Sequence, residues 1–414
     1  MKLGLIGFPL GHSWSPEIHK LLINEDYSLW ELKEDELPQF LEKRDFDGIN
    51  VTIPYKKAVI PFLDEIDETA EKIGAVNCIV NRNGKLKGYN TDYYGLVKML
   101  ESHHIELKDK TVAILGTGGV SGACKQAVFT LGGKPVMVSC QSKEGSITYD
   151  ELYDRQENIQ VIINATPVGM YPNIDSSPID IRKFENAEYV IDVVANPLKT
   201  SLMFDCKVNG IPALGGFEML VWQAFAADEL FLDRKLDDKT VPKCISALLK
   251  QRRNTVLIGM PSSGKSTISH ILKEKYGYES VNFDEIIEEE EGRTIPEIFA
   301  QSGEAYFRNK EAEVCTRYVS GKGLIISPGG GIIKNETNMR NLSYNGNIIL
   351  IRRDLDLLEY SADRPLAFSR KALEKIYEER KELYLRYPDY ILENNAAIDE
   401  AVQSLLNILE GEQL

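Results

Sequence analysis

The sequence predicts an α/β protein with parallel sheets, and two stretches carry this prediction. Residues 111–131 and the residues from Thr255 onward each run from an apolar strand through a glycine-rich turn into a helical pattern. That strand–turn–helix unit is typical of parallel sheets covered by helices. The 414 residues exceed what one hydrophobic core usually supports, so we expect two or three domains.

The second stretch contains a phosphate-binding pattern. Gly259, Gly264, Lys265 and Ser266 fit G-x-x-x-x-G-K-[ST], although a turn rich in glycine and serine can match this pattern by chance. Backbone N–H groups of such a loop, and the helix that follows, bind phosphate, while Lys265 reaches the β and γ phosphates and Ser266 ligates magnesium. We therefore expect ATP and Mg²⁺ here, with Ser266 as the metal ligand. The expected ATP contacts are Ser262, Ser263, Gly264, Lys265, Ser266 and Thr267.

The first stretch contains a Rossmann-like pattern. Residues 116–122 read GTGGVSG directly after the strand, which places a dinucleotide pyrophosphate on the following helix. The next strand, 135–139, leads into Cys140-Gln141-Ser142-Lys143, without an acid for a ribose 2′-hydroxyl or an arginine for a 2′-phosphate. Lys143 is the only nearby cation. The expected cofactor contacts are Gly116, Thr117, Gly118, Gly119, Val120, Val193 and Gly216.

The bulk composition restricts the classes of partner. The formal net charge of −15 argues against nucleic acid or an anionic membrane as the main partner. Six cysteines without a C-x-x-C pair favour a reducing compartment. The apolar N-terminus is interpreted as a buried strand, and no apolar run reaches the length of a membrane span. We expect a cytoplasmic protein that acts on small molecules, and its oligomeric state stays open.

Polar residues in the first hundred positions fall in loops and at strand ends. Ser13 and Ser15 precede a helical pattern, and each alone is usually a turn or a helix cap. Lys56 and Asp92 are by default solvated surface charges. If the fold brings them into one cleft, they serve as a proton donor and an orienting carboxylate.

Residues 1–248 resemble the shikimate dehydrogenase family. The resemblance implies reversible hydride transfer between a nicotinamide cofactor and C3 of shikimate, with Lys56 as proton donor and Asp92 paired to it. It also implies that Ser13, Ser15, Thr52, Asn77 and Gln223 hold the substrate. The motifs that carry the resemblance are Ser13-x-Ser15, Asn50-Val-Thr52-x-Pro54-x-Lys56, Gly74-Ala-Val-Asn77, Asn90-Thr-Asp92, the 116–122 turn, Asn164-Ala-Thr-Pro-Val-Gly-Met170, Asn196-Pro197 with Thr200, and Met219-Leu-Val-x-Gln223.

Two departures from that family affect ligand contacts. Ala195 stands where the family usually has a tyrosine, so one hydroxyl contact to substrate or nicotinamide is expected to be missing. The usual N-R-T cofactor clamp is replaced near Cys140-Gln141-Ser142. This second departure is the reason to expect weak selection of NADP over NAD.

Residues from Asn254 onward resemble shikimate kinase, through the phosphate loop, Asn282-Phe283-Asp284, the stretch around Arg308, and LIISPGGG. Lys265 and Asp284 are the expected catalytic residues, and Asp284 also holds a shikimate hydroxyl. Asn282 stands where the family often has aspartate, which predicts weaker magnesium affinity. The remaining expected contacts are Arg308, Gly329, Gly330, Gly331 and Arg380 for shikimate, and Arg364 on a lid for the transferred phosphate.

These resemblances together predict a bifunctional enzyme of the shikimate pathway, which leads to chorismate and the aromatic amino acids. It would reduce 3-dehydroshikimate to shikimate with NADPH and then form shikimate 3-phosphate with ATP. Two alternatives stay open: a quinate/shikimate dehydrogenase that uses NAD and is fused to an active kinase, or a substrate-binding sensor half that regulates the kinase half. The predicted domains are a split α/β substrate domain (1–98 and 217–248), a Rossmann-like cofactor domain (99–216), a linker (249–253) and a P-loop kinase domain with a parallel sheet and a lid (254–414).

Overall fold

The computed structural model describes residues 1–11, 13–360 and 366–410. The chain folds into two compact units, Met1–Leu248 and Leu249–Leu414. None of the described helices is both long enough and apolar enough to cross a membrane. Arg364, the expected lid residue, lies outside the described residues.

The first unit begins with a mixed six-stranded sheet in the order β2-β1-β3-β5-β6-β4. β1 pairs in parallel with β2 and β3, whereas β5 is antiparallel to β3 and to β6. The N-terminal apolar stretch forms the fully buried β1, as the sequence indicates. The strands are β1 (Leu3–Gly7), β2 (Tyr27–Glu31), β3 (Gly48–Val51), β4 (Glu65–Ile66), β5 (Cys78–Arg82) and β6 (Lys85–Tyr89).

A second six-stranded sheet in the same unit is parallel throughout, in the order β12-β11-β10-β7-β8-β9. Its central strand β7 coincides with the predicted strand 111–115, and the glycine turn leads from it into α5. The carboxyl ends of β7 and β10 therefore meet at one edge, beside that turn. The strands are β7 (Thr111–Leu115), β8 (Lys134–Ser139), β9 (Ile147–Thr148), β10 (Val161–Asn164), β11 (Tyr189–Asp192) and β12 (Ala213–Gly215).

Helices of the first unit cover both sheets. Ala227 and Phe231 of α8 pack on the first sheet against Leu3 and Cys78, although α8 follows the second sheet along the chain. The helices are α1 (Ser15–Ile23), α2 (Leu37–Lys43), α3 (Glu68–Ile73), α4 (Thr91–Ser102), α5 (Ser121–Thr130), α6 (Tyr149–Tyr153), α7 (Ser201–Val208), α8 (Phe217–Leu232) and α9 (Thr240–Arg252).

The second unit is built on a five-stranded parallel sheet in the order β14-β15-β13-β16-β17. Because α9 continues to Arg252, residues 249–252 of the expected linker are helical. The strands are β13 (Asn254–Ile258), β14 (Ser280–Asn282), β15 (Ile325–Ser327), β16 (Gly346–Arg352) and β17 (Tyr390–Glu393). The helices are α10 (Lys265–Tyr276), α11 (Phe283–Glu291), α12 (Ile295–Arg317), α13 (Glu336–Ser343), α14 (Arg370–Arg386) and α15 (Ile398–Glu410).

The packing of Phe231 on Gly48 shows why α8 lies so close to the first sheet. A methyl group added at Gly48 would collide with the Phe231 ring, whose Cε1 would lie only 2.6 Å away. Phe231 is 1% exposed and sits in a core that includes Leu3 and Cys78. The glycine therefore makes room for the ring, and the ring fixes α8 on β3.

We expect Gly48→Ala to lower the free energy of unfolding of the first unit by about 1–3 kcal/mol, because a close-packed core resists added volume. Phe231→Leu in the same chain should recover part of this loss. Urea titration followed by tryptophan fluorescence measures the effect, since Trp14, Trp30 and Trp222 all lie in this unit. Unchanged stability of Gly48→Ala would contradict the packing argument.

Candidate active sites

The first unit brings Lys56 and Asp92 together in a cleft. The Lys56 Nζ donates to Asp92 Oδ2 at 2.6 Å, and both side chains are mostly buried. Asp92 lies in the first turn of α4, where the positive end of the helix favours a carboxylate. Lys56 and Asp92, which are 36 positions apart in the sequence, thus form one ion pair. This is the arrangement that a proton donor and its orienting carboxylate would require.

Amide and hydroxyl groups hold Asp92 from the other side. Asn77 Nδ2 donates to Asp92 Oδ1 at 2.9 Å, and the Asn77 Oδ1 accepts from the Thr91 backbone N–H at 2.6 Å. Gln223 Oε1 lies 3.2 Å from the Thr91 hydroxyl and 3.4 Å from Asn77 Nδ2. These contacts fix Asp92 in one orientation, because both of its carboxylate oxygens have a donor.

The cleft is about 270 Å³ in volume and connects this pair with the glycine turn. A methyl group at Gly119 would lie 3.3 Å from Lys56 Cδ, whereas a methyl group at Gly118 would meet nothing within 4 Å. Gly118 therefore leaves room for a pyrophosphate beside the start of α5, where the helix dipole favours an anion. We name these lining residues the reduction cleft: Thr52, Ile53, Lys56, Asp92, Gly118, Gly119, Val120, Ala165, Thr166, Pro167, Met170, Val193, Val194, Ala195, Gly216, Met219, Leu220 and Gln223.

Three more residues were expected to contact the cofactor or the substrate, namely Gly216, Ser13 and Ser15. Gly216 packs directly on Val193, since a methyl group at Gly216 would collide with the Val193 carbonyl oxygen. Ser13 and Ser15 are not among the described residues that line the reduction cleft; the Ser13 hydroxyl accepts from the Ser15 backbone N–H at 3.2 Å. Trp14 between them packs edge-on against Phe217, next to Gly216, with ring centroids 4.8 Å apart.

Asp192 organises the loops on the far side of the reduction cleft, a role that the sequence did not indicate. It accepts hydrogen bonds from Thr200 Oγ1 at 2.7 Å, Asn164 Nδ2 at 3.0 Å and the Val194 backbone N–H at 3.1 Å. Burial raises its pKa to about 6, and these donors act in the opposite direction. The carboxylate thus ties the ends of β10 and β11 to α7.

The second unit forms the expected phosphate loop. Gly259 and Gly264 have φ angles of 154° and 101°, which L side chains rarely adopt. Lys265 Nζ lies at hydrogen-bond distance from the carbonyl oxygens of Gly259 and Met260, at 2.9 and 3.0 Å. The loop opens into a cleft of about 320 Å³, which we name the nucleotide cleft. It is lined by Ser262, Gly264, Lys265, Ser266, Thr267, Arg353, Leu357, Glu359 and Ile398. The last four of these residues were not predicted.

The expected shikimate contacts converge beside this loop. Asp284 Oδ1 would lie 2.8 Å from a methyl group at Gly329, and the Arg308 guanidinium would collide with one at Gly331. Arg380 Nη1 donates to the Gly330 carbonyl oxygen at 2.9 Å. Gly329 and Gly331 therefore let Asp284 and Arg308 approach the backbone of the turn whose Gly330 carbonyl also accepts from Arg380.

Glu311 joins this group, and sequence reasoning missed it. It accepts from Arg308 Nη1 at 2.7 Å and is 1% exposed. Burial raises its pKa to about 7, Arg308 lowers it, and Asp284 adds to the increase. Glu311 Oε1, Asp284 Oδ1 and Arg380 Nε are buried without a hydrogen-bond partner in the described part of the chain. Buried polar atoms normally have partners, so this arrangement suits a polar ligand.

Asn282 acts as a helix cap in this structure. Its Oδ1 accepts from the Asp284 backbone N–H at 3.1 Å, and its Nδ2 donates to Glu285 Oε1 at 2.7 Å. The residue thereby fixes the start of α11, which carries Asp284. Asparagine and aspartate serve equally well as caps, so the residue in this position keeps its structural role while the negative charge is lost.

Comparison with known proteins shows which families the two units are similar to. The model of the shikimate dehydrogenase substrate binding domain matches residues 5–79. A shikimate dehydrogenase (NADP(+)) of Clostridium beijerinckii is 38% identical over 252 residues, covering 57% of this chain and 93% of the relative. The chain belongs to the shikimate dehydrogenase family. The shikimate kinase model matches residues 261–410, so the chain also carries a shikimate kinase domain.

Solved structures of shikimate dehydrogenases agree with the fold of the first unit. A chorismate mutase/shikimate 5-dehydrogenase fusion protein from Clostridium acetobutylicum is 35% identical, with a TM-score of 0.56 over 59% of this chain and 96% of that one. Shikimate 5-dehydrogenase from Thermus thermophilus, solved with NADP(H) and shikimate, is 27% identical, with a TM-score of 0.55 over 60% and 99%.

The raised pKa of Glu311 predicts a pH dependence of stability in the shikimate kinase domain. A folded-state pKa of about 7, against 4.5 for an ordinary glutamate, means that the folded state binds more protons than the unfolded state. Stability therefore falls as pH rises. Between about pH 5.5 and 7.5, the wild-type chain should lose roughly 2 kcal/mol of opening free energy relative to Glu311→Gln.

Hydrogen–deuterium exchange of α12 peptides measures this opening free energy at each pH. Glu313→Gln, an exposed change on the same helix, is the matched control and should follow the wild type. If the difference in opening free energy between Glu311→Gln and the wild type were the same at both pH values, Glu311 would titrate outside this range.

Proposed function

We propose that the chain catalyses two consecutive reactions on one small carboxylate. Its first unit reduces 3-dehydroshikimate to shikimate with NADPH, and its second unit phosphorylates shikimate to shikimate 3-phosphate with ATP. The observation that carries the first assignment is the Lys56–Asp92 pair beside the glycine turn. The names of the relatives support NADP as the cofactor. In this proposal, the substrate is held by Ser13, Ser15, Thr52, Asn77 and Gln223. Asn77 donates a hydrogen bond to Asp92, and Gln223 accepts one from Thr91, the residue before Asp92.

Lys56 acts as the proton donor in the reduction. Bound NADPH supplies the hydride. As negative charge develops on the carbonyl oxygen, the Lys56 ammonium stabilises it and transfers a proton to it. Asp92 keeps the ammonium in place, since it lies 2.6 Å from Nζ and is itself held by Asn77. The substrate thus meets a donor that needs no reorientation.

The kinase half positions two charged ligands. The phosphate loop, Lys265 and the N-terminus of α10 hold the ATP phosphates, and Ser266 ligates Mg²⁺. Arg308, Arg380 and the Gly329–Gly331 turn bind the shikimate carboxylate, because arginine forks match a carboxylate. Phosphoryl transfer depends mainly on such positioning and charge neutralisation.

Asp284 accepts the proton of the reacting hydroxyl. The residue is half-buried; desolvation raises its pKa, while Lys265 and Arg308 lower it. A carboxylate in this setting is a stronger base than an exposed one. Its buried Oδ1 has no hydrogen-bond partner in the described residues, which fits a role in holding a substrate hydroxyl.

Both reactions use small molecules, and we place them in the cytoplasm. The six cysteines occur as free thiols, five of them buried, which suits a reducing compartment. We assign binding of the dehydrogenase substrate to residues 1–98 and 217–248, binding of the nicotinamide cofactor to residues 99–216, and the kinase reaction to residues 254–414.

Lys56→Ala should lower the kcat of shikimate oxidation by about 10²–10⁴-fold while changing substrate affinity far less, since the proton donor acts on the transition state. Steady-state kinetics with shikimate and NADP measure both quantities. Lys72→Ala removes an exposed lysine that pairs with Glu68 and should keep wild-type rates. A near-normal kcat for Lys56→Ala would refute the assignment of the donor.

Asp284→Asn should lower the kinase kcat by roughly 10²-fold or more, because the amide cannot accept the proton. The dehydrogenase rate of the same protein should stay unchanged. A coupled ADP-release assay with shikimate and ATP measures the kinase, and the neighbouring exposed change Glu289→Gln is the control. Equal losses in both activities would indicate unfolding and contradict a local role.

A further inference from the structure

The edge of the first sheet carries a further cleft of about 760 Å³, a volume in the range of small-molecule sites. Its floor is one face of the edge strands, because alternate residues of a strand point to the same side. We name it the hairpin cleft, since β5 and β6 form an antiparallel pair there. The alternate residues that line it are Val80 and Arg82 of β5, Lys85, Lys87 and Tyr89 of β6, and Glu65 of β4.

Two helices form the walls of the hairpin cleft. Each contributes three lining residues spaced i, i+3 and i+4, which share one face of a helix. They are Asn90, Tyr93 and Tyr94 at the start of α4, and Ala226, Glu229 and Leu230 near the end of α8. Among the described residues, the hairpin cleft and the reduction cleft have no lining residue in common, so the two are separate cavities.

The apolar part of the lining favours a ligand with a planar ring. Tyr89, Tyr93 and Tyr94 border the cleft, together with the buried side chains Val80 and Leu86. Aromatic side chains pack on aromatic ligands in offset or edge-on arrangements. An apolar lining with a few polar groups that fix the orientation of the ligand is typical of small-molecule sites.

Charges of both signs at the hairpin cleft lack a partner. Within the described ranges, Lys85, Asp233 and Arg234 form no ion pair, whereas Lys87 pairs with Glu65 at 3.8 Å. The cleft therefore presents two uncompensated cations and one uncompensated carboxylate. Such a pattern is complementary to a ligand that carries one anionic and one cationic group.

Arg82 brings the two uncompensated cations to the same end of the cleft. It lies directly opposite Lys85 in the β5–β6 pair. Its Nη2 donates to the carbonyl oxygens of Leu230 and Phe231, at 2.8 and 2.9 Å. Because Arg234 follows Phe231 by three residues, the end of α8 carries it to the side of the hairpin where Lys85 lies.

Thr91 separates the hairpin cleft from the reduction cleft. It lines the hairpin cleft and is 3% exposed, while the next residue, Asp92, lines the reduction cleft. The Thr91 backbone N–H donates to Asn77 Oδ1 at 2.6 Å, and the Thr91 hydroxyl lies 3.2 Å from Gln223 Oε1. A ligand that contacts the first turn of α4 from behind therefore acts on the groups that hold Asp92.

We propose that the hairpin cleft binds an aromatic α-amino acid, whose ring packs among the tyrosines. Its carboxylate pairs with Lys85 and Arg234, and its ammonium pairs with Asp233. Binding shifts the first turn of α4 and so changes how Asp92 holds Lys56. The site goes beyond the proposed function, because this ligand is neither a substrate nor a cofactor of the two proposed reactions.

The test separates the two charges of the ligand. L-phenylalanine, 3-phenylpropanoate, which lacks the ammonium, and 2-phenylethylamine, which lacks the carboxylate, are titrated into the full-length protein by isothermal calorimetry. Arg234→Gln should weaken binding of L-phenylalanine and 3-phenylpropanoate by about tenfold, and binding of 2-phenylethylamine by less than about twofold. Lys43→Gln, an exposed lysine of α2 that does not line the cleft, is the matched control.

Asp233→Asn should give the reverse pattern. It should weaken binding of L-phenylalanine and 2-phenylethylamine by about tenfold and leave 3-phenylpropanoate within about twofold of the wild type. Asparagine tolerates the left-handed backbone of this position, where φ is 50°, so the change removes the charge and keeps the turn. A wild-type protein that does not bind L-phenylalanine would overturn the proposal, as would two variants that bind all three probes like the wild type.

The coupling to Asp92 has its own measurement. Saturating L-phenylalanine should change the affinity for shikimate by about fivefold, and shikimate should change the affinity for L-phenylalanine by the same factor, because coupling between two sites is reciprocal. Calorimetry measures both affinities without turnover, and Arg234→Gln should remove the effect. Independent binding of the two ligands would show that Thr91 does not transmit the signal.

The failure of this proposal and that of the proposed function are distinguishable. If the wild type oxidises shikimate with NADP but does not bind L-phenylalanine, the hairpin cleft is assigned wrongly and the proposed function stands. If the wild type binds L-phenylalanine with the expected charge dependence but oxidises shikimate with neither nicotinamide cofactor, the proposed function is wrong and the assignment of the cleft stands.

Discussion

The close approach of the glycine turn to Lys56 is the constraint on which the first unit depends. A side chain at Gly119 would press on the aliphatic part of Lys56 at 3.3 Å, and a longer one would displace the ammonium from Asp92. Lys56 follows β3 of the first sheet and the glycine turn follows β7 of the second, so their distance depends on how the two sheets pack. Gly48 against Phe231, and Gly216 against Val193, are further places where a missing side chain permits close packing.

Asp92 shows how one carboxylate is fixed through its neighbours. It begins a helix, accepts from Lys56 and Asn77, and so has a donor on each oxygen. Asn77 in turn is held by the backbone of Thr91. Removing one member therefore leaves a buried polar group without a partner, which is more costly than the loss of a single hydrogen bond. In the proposed reduction, the position of the Lys56 ammonium is therefore set by Asp92 in α4 and by Asn77 just before β5.

Sequence reasoning recovered the parts that are local in the chain. The strand 111–115, its glycine turn and the phosphate loop are each encoded within about twenty residues, because strand, turn and helix signals are short-range. Glu311 and Asp192 could not be found in this way. A glutamate in a helix with many charges is usually a solvated surface residue. The pair of Glu311 with Arg308 is an i,i+3 contact within α12, and only the close approach of its carboxylate to Gly329, where a methyl group would lie 2.9 Å from Oε1, shows that it belongs to the site.

The two units would recognise the same carboxylate by different means, and the chemistry of each reaction explains the difference. In the proposed reduction, negative charge would develop on a carbonyl oxygen beside Lys56, and the ammonium would stabilise it there. Hydroxyl and amide groups such as Thr52 and Gln223 would orient the substrate without adding charge. In phosphoryl transfer, negative charge is already abundant on both substrates. In the proposed kinase reaction, Arg308 and Arg380 would neutralise the carboxylate, while Glu311 accepts a hydrogen bond from Arg308.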